Sequence, residues 1–228
     1  MCGRFSLYSD PQKIAKQFSL INFQEPSFIP SYNIAPSQSI YVICNVPSHN
    51  NKNEGTIKLM QWGLIPFWTK EEDLAAGIIN ARLETVDKKP AFRQAIKQHR
   101  CLIIADGFYE WKAKIGYKQP YYICTKDNSL FGFAGIWSHW QGTTGTIDSC
   151  AILTIPANKT LASIHDRMPA IVKPEHYAKW LDVSYHDMEK LKSLLAPYPE
   201  DNLTLYPVSR SVNNFRHNSA DCIEPTKE

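Results

Sequence analysis

The chain has 228 residues, of which 43% are apolar, 12% aromatic and 21% charged, with a formal net charge of +3. That balance supplies enough apolar side chains for a sizeable core and excludes a disordered or collagen-like chain, while so small a charge permits a phosphate-bearing partner without demanding one. No apolar run approaches the length of a membrane span, and the N-terminus carries no basic stretch followed by a hydrophobic one, so the sequence reads as one domain over 1–228 of an intracellular protein with no membrane association.

The chain opens Met1-Cys2-Gly3-Arg4-Phe5. Cys2 and Gly3 offer little steric resistance to removal of Met1, and the mature terminus would then be a 1,2-aminothiol. Such a group attacks an aldehyde first through nitrogen, giving an imine, and then through sulfur, closing a five-membered thiazolidine. With reference pKa values of roughly 8 for the amine and roughly 8.5 for the thiol, both are partly deprotonated near neutrality. The remaining cysteines, Cys44, Cys101, Cys124, Cys150 and Cys222, form no C-x-x-C pair and read as small core residues of a reducing compartment. The seven histidines show no H-x-x-x-H spacing, so no metal and no cofactor are expected.

Asp10-Pro11 reads as an N-cap with proline at the first helical position, and Ile14 and Phe18 lie one turn apart, which predicts an amphipathic helix over 10–20. After the irregular segment Tyr32–Pro36 comes a strand over Ile40–Cys44, then a polar hairpin loop over Asn45–Gly55. Further strands are predicted at Lys58–Leu64, Cys101–Ala105, Phe108–Lys112, Tyr121–Thr125, Leu130–Trp137, Cys150–Ile155 and Leu203–Val208, with helices at 90–99, 174–182 and 186–195. Because short turns rather than helices join most strand neighbours, the expected fold is α+β, a mostly antiparallel barrel-like sheet flanked by short helices.

Four segments carry polar residues where chemistry is plausible. In Ile78–Thr85, Asn80, Arg82 and Glu84 alternate, so an extended chain directs all three to one face, which is equally the wet side of an ordinary strand. In Ala105–Lys112, Glu110 sits between Tyr109 and Trp111 after a very apolar run; it is either a desolvated carboxyl suited to acid/base work or a surface group paired with Lys112. His165 lies between Ile164 and Asp166-Arg167, a setting in which an imidazole titrates near neutrality. Only seven of the 25 basic residues are arginine, yet Arg4, Arg82, Arg167 and Arg210 fall in these candidate segments, where a planar fork suits phosphate. Phe67 and Trp68, beside Pro66, are candidate stacking surfaces for bases, whereas Trp62 fits core packing equally well.

Taken together, MCGRF at 1–5, YNIAP at 32–36, WGLIPFW at 62–68, INARLET at 79–85, ADGFYEWK at 105–112, IHDRMP at 164–169 and PVSRSVN at 207–213 resemble the SRAP family, the SOS-response-associated peptidase-like proteins that crosslink to abasic sites in single-stranded DNA. The resemblance spans nearly the whole chain. It implies that Cys2 is the nucleophile, that Asn80 orients Cys2 and the sugar, that Glu110 shuttles protons, and that His165 holds the sugar hydroxyl or phosphate and assists proton transfer. Arg4, Arg82 and Arg167 are implied as phosphate contacts, with Asn33, Pro36, Phe67, Trp68, Ser209 and Arg210 lining the groove. The implied partner is single-stranded DNA containing abasic sites, bound by a monomer, in the bacterial cytoplasm or the eukaryotic nucleus. A self-processing peptidase activity that exposes Cys2 accompanies this reading.

Two other classes use the same features. Glutamine-dependent amidotransferases of one class also begin Met-Cys-Gly, but they are expected to continue with an aliphatic residue and to carry an Asn-Gly pair. This chain continues Arg4-Phe5 and has no Asn-Gly dipeptide. A noncatalytic single-strand binder would need only the arginines and aromatic rings, and would tolerate loss of the Cys2 thiol.

Overall fold

A computed structural model describes residues 2–20, 28–45, 55–74 and 77–226. The first half holds strands β1 (Phe5–Leu7), β2 (Ser31–Ile34), β3 (Ser39–Asn45), β4 (Gly55–Trp62), β5 (Asn80–Arg82) and β6 (Arg100–Ala105), with helices α1 (Pro11–Gln17) and α2 (Ala95–Gln98). The second half holds β7 (Gly107–Lys114), β8 (Tyr117–Thr125), β9 (Phe131–Gly142), β10 (Gly145–Pro156), β11 (Arg167–Pro169), β12 (Ile171–Val172) and β13 (Leu203–Pro207), with α3 (Lys159–Ala162), α4 (Tyr177–Leu181) and α5 (Met188–Ser193). The fold is α+β, as expected.

Five strands close on themselves in the order β4-β3-β6-β9-β10 and back to β4. Every pairing in this barrel is antiparallel except the closing one, where β10 runs parallel to β4 through Ser149↔Gln61 and Cys150↔Trp62. So small a barrel has room only for side chains, and Ile103, Phe133, Cys150 and Ile152 are fully buried. A second, antiparallel sheet runs β13-β8-β7-β1-β2. Phe5 on β1 joins the two, its ring centroid 5.1 Å from Trp62 and 6.0 Å from Phe133, both in edge-to-face contact. Burial of that one side chain contributes about 2–3 kcal/mol. Trp62 is therefore core, as one of its two readings held.

Local chemistry explains where the helices start and stop. Asp10 accepts from the Lys13 amide at 2.9 Å, Pro11 opens α1, and Ile14 is buried. The helix expected over 90–99 is shorter, with regular α-helix only at Ala95–Gln98. Its end is fixed by Arg100, 1% exposed, whose Nη1 donates to the carbonyls of Ile96 and Lys97 at 2.9 and 3.1 Å and whose Nε donates to the Trp180 carbonyl. The helix expected at 174–182 begins as a 3-10 turn, Pro174–His176, before α4, and α5 covers the middle of 186–195. At the polar hairpin, Asn45 pairs with Gly55 to close β3 and β4; residues 46–54 lie outside the described residues.

One backbone crossing positions β5. A Cβ on Gly77 would sit 2.0 Å from the Gly63 carbonyl oxygen, and Gly63 itself has φ +139. The two chains pass at this contact and then exchange Leu64 N–H···O Ile78 and Ile78 N–H···O Leu64 bonds of 3.0 and 2.9 Å. From there β5 runs parallel to β10 with Asn80 opposite Ile152. Gly77→Ala is expected to lower stability by about 3 kcal/mol, because the obstacle is backbone that cannot rotate away. A denaturant midpoint equal to that of the parent protein would show that the crossing relaxes freely.

Candidate active site at the N-terminal cysteine

Cys2 precedes a strand of only three residues, and both edges of that strand are held. Phe5 pairs with Ile34 of β2 on one side and with Phe108 of β7 on the other. The Asp106 carboxylate, 4% exposed, accepts from the Tyr8 and Ser9 amides at 2.6 and 2.9 Å and from the Ser9 hydroxyl at 2.5 Å. Three charge-assisted bonds to one buried carboxylate fix the chain just after β1. Ser6 Oγ shares a 2.7 Å hydrogen bond with Tyr122 Oη, whose ring lies where a Cβ on residue 107 would be, so only glycine fits there.

Four predicted residues meet at the head of this strand. Asn80 Nδ2 donates to the Cys2 carbonyl at 2.8 Å, while its Oδ1 is buried with no hydrogen-bond partner among the described residues. An orphaned acceptor there is a ready seat for an amine or hydroxyl donor. Glu110, 2% exposed, is close enough that its charge raises the Cys2 thiol pKa, and His165 in turn acts on Glu110. Burial is the main cause in both cases. It pushes the Cys2 thiol far above its ordinary range, with Glu110 adding to the shift, and it raises the Glu110 carboxyl against the opposing pull of His165. Of the two readings of Glu110, the desolvated carboxyl is the one observed. His165 Nδ1 lies 3.0 Å from the Arg167 amide, which donates to it, and 2.9 Å from Asp166 Oδ1, to which it could donate only by giving up the bond from Arg167.

The arginines divide. Arg4 Nη1 donates to Asn33 Oδ1 at 2.7 Å and to the Val212 carbonyl at 2.8 Å, and its guanidinium lies over the Trp111 ring. Arg82 and Arg210 are exposed, as phosphate contacts would be. Arg167 departs from that expectation: it is 9% exposed, holds Glu84 through bonds of 2.5 and 2.9 Å, and donates to the Thr154 carbonyl at 2.5 Å. These bonds engage Nη1 and Nη2 while Nε stays buried without a hydrogen-bond partner, and phosphate would have to displace Glu84. Asn33 is also placed differently from a groove wall. It is 1% exposed, and its Nδ2 donates to the carbonyls of Val212, Asn214 and His217 while its Oδ1 accepts from Arg4. Three carbonyls facing one nitrogen fix the amide's orientation, and Asn33 acts by holding Arg4 and the C-terminal segment.

Ser209 caps the 3-10 turn Arg210–Asn213 by accepting from the Ser211 amide at 3.2 Å, and Pro36 is half-buried before β3. Phe67 and Trp68 are 53% and 50% exposed with rings edge to face, 4.9 Å apart, and border a hollow beside Pro90, His99 and His139 that shares no residue with the cavity described next. That second cavity, of about 530 Å³, runs from Arg4, Glu110 and His165 to Tyr117, Lys118 and Arg210. Trp111, Tyr117, Lys118 and Asn213 on its walls were not singled out from the sequence, since the β7–β8 turn and the C-terminal segment are brought together only by the fold. Against the expectation of no metal cluster, His217, Asp221 and Cys222 lie with ligand atoms within 4.8 Å of one another. His217 Nε2 bonds Asp221 at 2.8 Å and the Cys222 thiol donates to the His217 carbonyl, so the group closes on itself beside Asn33.

The family model described as SOS response associated peptidase (SRAP) matches residues 1–215. The chain belongs to the SRAP family. It is 42% identical over 227 residues to Abasic site processing protein YoqW of Bacillus subtilis (strain 168), covering 98% of this chain and 99% of that one. It is 31% identical over 270 residues to Abasic site processing protein HMCES of Mus musculus, covering 99% of this chain and 76% of that one. A crystal structure of a protein from Bacteroides thetaiotaomicron superposes with a TM-score of 0.85 at 27% identity, over 99% of this chain and all of the other. This SRAP chain thus presents its buried cysteine, carboxyl and amide within a fold shared along its whole length.

The raised Glu110 carboxyl makes stability depend on pH. Its favourable contribution is complete below the ordinary value of 4.5, where folded and unfolded chains both hold the proton, and is lost as pH rises through the higher folded-state value. Glu110→Gln is therefore expected to gain stability relative to the parent protein between about pH 4 and about pH 8. Denaturant midpoints at the two pH values check this, and a gap that shrinks as pH rises would contradict the assigned shift.

Proposed function

We propose that this SRAP protein captures abasic sites in single-stranded DNA by forming a thiazolidine between Cys2, freed by loss of Met1, and the ring-opened sugar. The convergence of Cys2, Asn80, Glu110 and His165 at the chain's head carries this reading, and the names of the relatives support its substrate. An abasic sugar is mostly a closed hemiacetal, and a protonated carboxyl beside it can assist opening to the C1′ aldehyde.

The pKa directions set the order of attack. The buried thiol stays protonated, whereas a freed α-amine, of reference pKa roughly 8, has a substantial neutral fraction, so nitrogen adds to C1′ first. Glu110 gives its proton to the hydroxyl of the carbinolamine, which leaves as water and yields the protonated imine, the nitrogen keeping its own hydrogen. Sulfur then adds to the same carbon, and its proton passes to the Glu110 carboxylate, restoring the starting state. One C–N and one C–S bond form, and the carbonyl oxygen departs as water. Asn80 holds the Cys2 carbonyl and offers Oδ1 to the amine or to a sugar hydroxyl, and His165 lines the same cavity as Glu110. Ring closure through sulfur removes the imine from β-elimination, which would otherwise break the strand.

On a denaturing gel without reductant, the wild type is expected to give a heat-stable band with a single-stranded oligonucleotide carrying one abasic site and none with an intact strand. Cys2→Ala keeps the amine and loses the sulfur, so its adduct should appear only after borohydride trapping. A heat-stable Cys2→Ala adduct without borohydride would remove the thiol from the mechanism.

A further inference from the structure

The strand that supplies Glu110 continues beyond the site into a two-residue turn. β7 ends at Lys114, β8 begins at Tyr117, and these two residues face each other across Ile115 and Gly116. Gly116 has φ +81, which L side chains rarely adopt, and open space surrounds the position of its missing Cβ, so glycine is needed there for backbone reasons and not to avoid a neighbour. Ile115 at its tip is fully exposed and Tyr117 is 40% exposed. Packing explains neither side chain.

Two further observations say what this tip meets. The Arg210 guanidinium lies over the Tyr117 ring, 5.3 Å from its centroid, which orients an aromatic surface at the rim of the cavity that begins at Glu110. Apart from Glu110 at the buried end, the charged residues of that cavity are Arg4, Lys118, Arg210 and the ionisable His165, a lining that attracts an anionic chain. Glu110 and Lys114 stand four strand positions apart, a span of about 13 Å, which reaches the nucleotide beside a sugar held at Glu110 rather than the sugar itself. A flat ring backed by a cation, with a second cation beside it, matches the combination by which proteins hold single strands without reading sequence.

We propose that Tyr117, backed by Arg210, is the stacking platform for the nucleobase adjacent to the lesion, with Lys118 and Arg210 on its phosphate and Ile115 against the next base or sugar. This inference rests on the reading of the site as one for single-stranded DNA. It names a contact that follows from the turn in this chain, not from the residues around Cys2.

The test uses the full chain and a single-stranded oligonucleotide with a tetrahydrofuran abasic analogue, which has no aldehyde, flanked on either side by 2-aminopurine. Stacking of the probe base on Tyr117 should quench its fluorescence on at least one side of the lesion. Tyr117→Phe should retain the quenching, and Tyr117→Ala should abolish it and weaken affinity about five- to one-hundred-fold. Quenching and affinity both unchanged in Tyr117→Ala would overturn the platform, as would equal losses in the alanine and phenylalanine variants, which would report a damaged turn or a phenol hydroxyl contact. Crosslinking of the wild type to a true abasic strand, run in parallel, separates this inference from the one beneath it. Wild-type crosslinking with no Tyr117-dependent quenching refutes the platform alone, whereas Tyr117-dependent quenching without any crosslink supports the platform and refutes the covalent chemistry.

Discussion

The site depends on holding the end of the chain still. A terminal residue ordinarily keeps its full conformational freedom, and ordering one residue costs about 1–2 kcal/mol. Here the cost is spread over interactions made by residues 4–9 together with the bond from Asn80 Nδ2 to the Cys2 carbonyl. β1 is paired on both edges, Phe5 packs into the ring cluster shared with the barrel, and Asp106 gathers two amides and a hydroxyl immediately after the strand. Arg4 adds a lateral tie to Asn33 and to the Val212 carbonyl, more than two hundred residues along the chain. Cys2 is therefore carried by a short rigid arm whose anchors all lie C-terminal to it, and the residues that anchor it need not touch substrate.

The same burial that fixes the arm sets its chemistry. Removing a thiol and a carboxyl from water disfavours both charged forms, and the Glu110 charge further disfavours ionisation of Cys2. Both groups are held toward their neutral forms by the same loss of water. A thiolate left permanently exposed would react with any oxidant or electrophile, and burial of the Cys2 thiol guards against that. The instability of a buried carboxyl is accepted at the place where function needs it.

Long apolar runs are legible in the sequence, and the strands they dictate, β3, β4, β6 to β10 and β13, lie over the predicted spans, with β8, β9 and β10 running several residues further at their hairpin ends. The strands that escaped notice, β1, β2, β5, β11 and β12, have two to four residues each, too few to show alternation, and exist because neighbouring strands offer them hydrogen bonds. Alternation holds only as far as β5, where Ala81 is buried and Arg82 exposed; Glu84 lies in a 3-10 turn, and Asn80 points inward with its Oδ1 buried beside Cys2. Alternation could not foretell that Glu84 turns to neutralise Arg167, because that partner lies 83 residues away. Asn33 illustrates the same limit. Its side chain was noticed for belonging to a motif, yet its role as a hub for three C-terminal carbonyls arises from a contact that no local pattern records.

One hairpin unites the buried and exposed halves of the cavity. Glu110 on β7 pairs with Tyr121 on β8, and four positions further along Lys114 pairs with Tyr117 at the turn. Because regular antiparallel pairing links these positions, a force applied at the tip is transmitted along two hydrogen-bonded strands rather than dissipated in a loop. The wall that holds the carboxyl and the tip that reaches outward then behave as one piece, with Trp111 between them tied by its indole N–H to Asn213 at 2.7 Å. Register along this hairpin fixes how far from Glu110 any group at the rim can act. Lengthening or shortening the turn would change the reach of the tip while leaving the paired positions around Glu110, and hence the proton chemistry, where they are.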